Sequence, residues 1–413
     1  MKKFTERLWR TAWVLKLAAR NLFRQPRRTL AVLLTVGLGS ASLFLFQGFN
    51  AGIMNQYREN SIHARYGHGQ LHTKGYLETV YEKPWEHWID NYDQVSASLK
   101  AMPEVKQIFP RVEFFALLTN GSVNVSGRGT GVDGVEESTF FTTLNVEDGK
   151  MLSGEEDGIL LGRGLANALN VKPGDRVTVL ANTVNGSLNG LDLTVTGIFH
   201  TGKKEFDDVA FRIPLAQARK LLDTDKVESI AVGLADDGLW ASFQQRAIAE
   251  FPALAPTSFA LLDKVYYQNS VDWLKSQFGI IRIIILSIVV LGIFNVVATS
   301  IFERKMEIGN LRANGDSSTD VMLLLTGEGA AMGILGAALG IAAAWALNSG
   351  LLSNGILMPP APGLTRQFHV KLELDLLTAA LTFGLGSFCC VLATVVAAWR
   401  VAKMGIGDAL RSV

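Results

Sequence analysis

The chain has 413 residues, a net charge of +1, 40 glycines and 48% hydrophobic against 19% charged residues. That places it among membrane proteins with room for more than one domain, and no nucleic-acid partner is expected. The even balance hides a split. Residues 51–275 carry 29 Asp+Glu and 21 Lys+Arg (net −8), and the rest carries 9 and 18 (net +9), so the two parts are expected on opposite sides of a membrane, the basic one inside.

Residues 1–28 hold nine Lys+Arg and one acid, Glu6, with Phe4, Leu8, Leu15 and Leu22 at helical spacings. They predict an amphipathic helix on the cytoplasmic leaflet. A signal peptide fits less well, because no small-residue cleavage site follows the apolar run. The first span is 29–50, thinned by Gly37, Gly39, Ser40 and Ser42.

Residues 51–275 predict a mixed α/β domain outside the membrane. Strands are expected at Gln70–Thr73, Val105–Phe109, Glu113–Leu118, Val123–Val125, Arg176–Leu180, Leu191–Phe199 and Ser229–Gly233. Helices are expected at Tyr92–Met102, Arg163–Leu169, Pro214–Leu222 and Leu239–Phe251. A strand-rich layer, about 136–205, is nested inside an outer layer that alternates strand and helix. His63, His68 and His72 could hold a metal, but a strand entry at Gly67-His68-Gly69 would spread them over two faces. Glu205, Asp207 and Asp208 lack the spacing of a calcium loop and read as a solvated turn.

The second span, 276–302, leads into a charged segment, 303–320. Ile308 and Leu311 stand on one helical face there, between Arg304, Glu307 and Arg312. The third span, 321–348, carries Glu328 about seven residues in, where a carboxylate is costly unless paired or protonated. It reads as a proton or substrate site, or as a packing carboxyl bonded to a neighbouring helix or to the charged elbow. Gly329, Gly333, Gly336 and Gly340 form a smooth face for another helix. A Pro-rich loop (349–375), a fourth span (376–399) and a basic tail (400–413) complete four spans with both termini inside. Cys389 and Cys390 are helix neighbours, about 100° apart, and do not pair.

The segment Glu307-Ile308-Gly309-x-Leu311-Arg312-Ala313-x-Gly315, followed by a span with an early Glu, resembles the FtsX-like permeases of ABC transporters, which include the MacB and Lol types. Ala18-x-Arg20-Asn21-Leu22-x-Arg24, Gly162-Arg163-Gly164-Leu165-Ala166 and Ala409-Leu410-Arg411 resemble the same family. Met306, Asn314, Gly405 and Ile406 depart from its pattern.

The resemblance implies four transmembrane helices plus an α/β extracytoplasmic domain, porter-like with an inserted β-rich sabre-like subdomain. It implies that 303–315 is a coupling helix, with Arg304, Glu307, Ile308, Leu311 and Arg312 meeting a separate ABC ATPase. No Gly-x-x-x-x-Gly-Lys-Ser/Thr loop and no nucleophile elbow occurs. The chain is therefore expected to be no enzyme and to carry no cofactor, with ATP and magnesium on the partner. Partners implied are a second permease (the same chain or a sister subunit), membrane lipids, and a lipoprotein or periplasmic protein. The location is the bacterial inner membrane. Lipoprotein release is the first functional expectation. MacB-like export of a peptide, toxin or antibiotic with an outer-membrane partner, or regulation of a cell-wall hydrolase, are the alternatives.

Overall fold

The computed structural model describes residues 24–79, 84–141, 144–152, 157–202, 204–264, 269–359 and 367–403. Most of the expected N-terminal helix, part of the Pro-rich loop and the tail beyond 403 lie outside these. The chain divides into a helical unit (1–54, 273–357 and 369–413) and a strand-rich unit (55–272 and 358–368).

Among the described residues four helices, Pro26–Ser61, Asn269–Phe302, Ser318–Gly350 and Leu376–Ala402, are long and apolar enough to cross a membrane. Each exceeds the roughly 20 residues a bilayer core requires. Their starts follow local chemistry. Ser317 accepts from Asp320 N at 3.2 Å and caps the third helix, and Asp375 accepts from Thr378 N at 3.1 Å and caps the fourth. Leu34, Leu38, Ile284, Ile288, Leu291, Leu381 and Phe388 stay exposed, as lipid contact permits. Val32, Val36, Ile293, Val297, Leu325 and Ala397 form the shared interior.

The glycine face of the third helix serves two neighbours. A Cβ at Gly333 would sit 2.9 Å from Cys390 Cβ, and one at Gly329 2.7 Å from Thr394 Cβ, both on the fourth helix. A Cβ at Gly336 would sit 2.8 Å from Val36 Cβ, and one at Gly340 would overlap the Gly37 carbonyl, both on the first helix. Small residues let the backbones approach on both sides, and packing supplies the association that lipid itself does not.

In the strand-rich unit ten strands form one sheet. They are β1 Gly69–Thr73, β2 Val105–Thr119, β3 Asn124–Val132, β4 Asn145–Gly149, β5 Gly158–Gly162, β6 Arg176–Asn182, β7 Leu188–His200, β8 Ala210–Pro214, β9 Ser229–Leu234 and β10 Leu254–Ser258. The 15-residue β2 belongs to two layers. Its first half pairs with β9 and extends an open sheet, β10-β1-β9-β2. Its second half pairs with both β3 and β6. From there the order β2-β3-β8-β5-β7-β6 returns to β2 and closes a six-stranded barrel, with β4 added on β7. Closure removes the exposed edges that an open sheet would leave.

The strand-rich layer is thus wider than the expected 136–205, since it recruits β2, β3 and β8. The reason lies in β2. Ile108 to Val112 are five consecutive buried residues where a one-sided strand would alternate, because this stretch passes between the two layers. β3 fits closely beside it. Gly127 and Gly129 leave space that Phe211 and Phe114 fill, edge to face at 5.7 Å, and Gly131, two residues on, makes room for Ala218.

Candidate functional site

The charged segment after the second helix folds into an elbow. Glu303 and Arg304 turn the chain into a short helix, Lys305–Ala313, which ends before Gly315 at φ +101°, a conformation that favours glycine. Arg304 sits at the centre. Its Nη1 donates to Glu328 Oε2, its Nη2 to Glu328 Oε1 at 3.4 Å, and its Nε to Glu307 Oε2 at 3.0 Å. Gln25 Nε2 donates to Glu307 Oε1 at 3.0 Å, and Arg28 Nη1 to Gln25 Oε1 at 2.6 Å. Arg28 Nε lies 2.8 Å from Glu303 Oε2. The chain of contacts ties the start of the first helix to the elbow and the elbow to the interior of the third helix. Burial alone would lower the Arg304 guanidinium, but Glu328, then Glu307, outweigh it and hold it above its ordinary value.

The five residues expected to meet a partner all make contacts within their own chain, although the Glu307 side chain is still 41% exposed. Arg304 and Glu307 belong to the elbow network. Ile308, 3% exposed, joins the interior of the helical unit, and Leu311 packs against it. Arg312 Nη1 donates to Ala402 O at 3.0 Å, on the last turn of the fourth helix. Ile308 is buried within its own chain and Leu311 is half-buried beside it. Their apolar face covers the helices of its own chain, which also have an apolar surface to bury there. The outward face of the elbow helix is formed by Met306 (52% exposed), Asn310 and Ala313, three to four residues apart, and Phe302 (39% exposed) ends the second membrane helix before the turn.

Glu328 is 4% exposed and ion-paired, so of the two sequence readings the structure provides the packing carboxyl with its partner. That partner, 24 positions away, belongs to the elbow, one of the two neighbours the sequence allowed.

The strand-rich unit contains a second polar cluster that sequence reasoning missed. Glu137 Oε1 accepts from Arg111 Nε at 2.6 Å and its Oε2 from Arg212 Nη1 at 2.5 Å, with all three side chains buried. Arg111 Nη1 also donates to Arg65 O. Arg65 Nη2 donates to Glu113 at 2.9 and 3.2 Å, and Arg128 donates to the same carboxylate. Glu113 N in turn donates to Glu228 Oε2 at 2.5 Å, and the Tyr76 hydroxyl donates to Glu228 Oε1. Burial pushes the Glu113 carboxyl up, but Arg65 and Arg128 outweigh it and hold it at about 2. Glu228, buried beside the Glu113 charge, is pushed up to about 7. The cluster gathers where β2 leaves the open sheet for the barrel, next to the π-helical turn Ile62–Tyr66. A guanidinium in an apolar strand, as in Phe109-Pro110-Arg111-Val112 or Ala210-Phe211-Arg212-Ile213, was the available signal, since such a charge requires a buried counter-ion.

The histidines are engaged separately. His63 Nδ1 lies 2.8 Å from Phe140 O, His68 Nδ1 accepts from Leu234 N at 3.0 Å, and His72 stacks on Tyr76 at 4.3 Å. Burial pulls the His72 imidazole down to about 4. No group of three or more metal-binding side chains occurs among the described residues. Asp207 accepts from Thr201 N and Oγ1, and Asp208 pairs with Lys204 at 2.6 Å.

Two family models match the chain. One, described as the MacB-like periplasmic core domain, covers residues 29–250, and the other, the FtsX-like permease C-terminal region, covers 279–406. The chain is 24% identical over 410 residues to the lipoprotein-releasing system transmembrane protein LolC of Xylella fastidiosa, covering 93% of each chain. It is 23% identical over 350 residues to LolE of Haemophilus influenzae, covering 79% of this chain and 82% of that one. Among solved structures, the periplasmic region of MacB from Actinobacillus actinomycetemcomitans aligns with a TM-score of 0.35 at 11% identity, over 47% of this chain and 90% of that one. The extracellular domain of the ABC-type transporter YknZ aligns at 0.34 and 12%, over 46% and 98%.

Proposed function

Because the chain belongs to the FtsX-like ABC transporter permeases with a MacB-like periplasmic core domain, we propose that it couples ATP hydrolysis on a separate ATPase to movement of its strand-rich unit outside the inner membrane, in the release of lipoproteins. Support for lipoprotein release is the resemblance over most of the chain to proteins named for that system. Support for coupling is the elbow helix, which is fastened to the first, third and fourth helices and still presents a free face. In this reading the ATPase docks on Phe302, Met306, Asn310 and Ala313. A second permease, identical or a sister chain, completes the transporter, and ATP and magnesium bind on the ATPase.

The partner's groove should be apolar opposite Met306, which replaces a basic residue of the family pattern. Burying a methionine contributes roughly 1.5–3 kcal/mol, so Met306→Asp is expected to cut ATPase retention about tenfold or more. Leu311→Asp would disturb the helical unit itself. Co-purification of the ATPase with detergent-solubilised permease measures this, and full retention by Met306→Asp would remove the outward face from the interface.

The same reading fixes orientation. A cysteine at Ser187 should react with an impermeant thiol reagent in intact spheroplasts, and one at Ser317 only after lysis. Labelling of Ser317→Cys in sealed cells would overturn the proposed sidedness.

A further inference from the structure

We infer that Glu328 is a positioning residue whose pairing with Arg304 clamps the elbow helix to the third membrane helix and carries the ATPase stroke into the membrane. The inference rests on the coupling role proposed above. Glu328 lies ten residues beyond Ser318, the start of its helix, or roughly 15 Å along the axis. It is nevertheless reached by a side chain from the turn before the elbow helix, and both of its oxygens are engaged.

A carboxylate at that depth is costly as a charge, and a guanidinium facing it offsets that cost. The guanidinium is itself held on a second side by Glu307, which Gln25 of the first-helix start holds in turn. A displacement of the elbow therefore moves a charge that the third helix cannot release cheaply. The apolar contacts of Ile308 and Leu311 can slide; the forked ion pair has one geometry. Glu328 and Arg304 contribute nothing to the outward face, so their loss should separate transmission from docking.

The test uses the full complex of this chain with its ATPase in nanodiscs, with an environment-sensitive fluorophore on Ser187→Cys. Three readings are taken: ATPase retained per permease, ATP hydrolysis, and the fluorescence change on adding ATP with vanadate. Glu328→Gln is expected to keep the ATPase bound and hydrolysing while the nucleotide-driven signal falls about tenfold or more. Glu328→Asp, which keeps the charge facing Arg304, should restore much of that signal, which a purely structural defect would not allow. An unchanged signal in Glu328→Gln overturns the inference, as does loss of ATPase and signal in equal proportion. If the wild-type chain retains no ATPase, the coupling role itself fails, an outcome distinct from failure of the clamp.

Discussion

Glu137→Ala is expected to destabilise the strand-rich unit by about 3–5 kcal/mol, the range for breaking a buried ion pair from one side. The carboxylate is fully buried and receives one guanidinium on each oxygen. Its removal leaves Arg111 and Arg212 buried without that counter-charge. Neither can discharge easily, although burial, partly offset by Glu137, already lowers Arg212 to about 10. The triad has little reserve, because Arg111 Nη2 and Arg212 Nε have no hydrogen-bond partner among the described residues. Arg111 keeps only the Arg65 carbonyl and the Phe141 ring, 4.3 Å from its guanidinium carbon.

Two further variants separate a stranded charge from lost packing. Glu137→Gln keeps the shape and one acceptor, and should fall between wild type and alanine. Replacing Arg111 and Arg212 by Met and Glu137 by Leu together should be close to neutral, because no charge is then left behind. Thermal unfolding of the full chain in detergent, with proteolysis of the strand-rich unit as the local probe, measures the series. A midpoint for Glu137→Ala equal to wild type would show that water or rearrangement satisfies the two guanidiniums.

Which features could be read from the sequence depended on how far apart the interacting residues lie. The four long helices come from runs of apolar residues, and the glycine face from spacings of three and four, all within one element. The elbow helix was visible as a charged segment with an apolar face. Its orientation was not, because a helical face records what must be covered and not whose surface covers it. The pattern of Ile308 and Leu311 is the same whether a partner or their own chain covers them, and in this structure Ile308 is covered by its own helices. The barrel was only half visible for a related reason. The β-rich character of 136–205 is local, but the closure of β6 on β2 joins residues about 60 positions apart. The Arg111–Glu137–Arg212 triad spans three elements, and Arg304–Glu328 spans two. In each case one member was a charge in an apolar setting, and such a residue signals a partner without naming it.

The contact between the first and third helices leads to the other large expected effect. A Cβ at Gly340 would overlap the carbonyl oxygen of Gly37 and lie 2.9 and 3.0 Å from its carbonyl carbon and Cα. In the reverse direction, a Cβ at Gly37 would lie 3.2 Å from the Gly336 oxygen. These are backbone atoms, so no side chain can rotate away, and even alanine must push the helices apart. Gly340→Ala is expected to destabilise the helical unit by about 1–3 kcal/mol, the usual range for overpacking, and Gly340→Leu by more. Gly384, with no atom within 4 Å of its would-be Cβ, is the control on the fourth helix. Alanine there should be neutral or stabilise by up to about 1 kcal/mol through helix propensity. The unfolding midpoints of Gly340→Ala and Gly384→Ala in the same detergent should therefore move in opposite directions or differ clearly. Equal shifts would mean that the first and third helices do not meet at Gly37 and Gly340 in the membrane-embedded protein, and that the glycine face serves another neighbour.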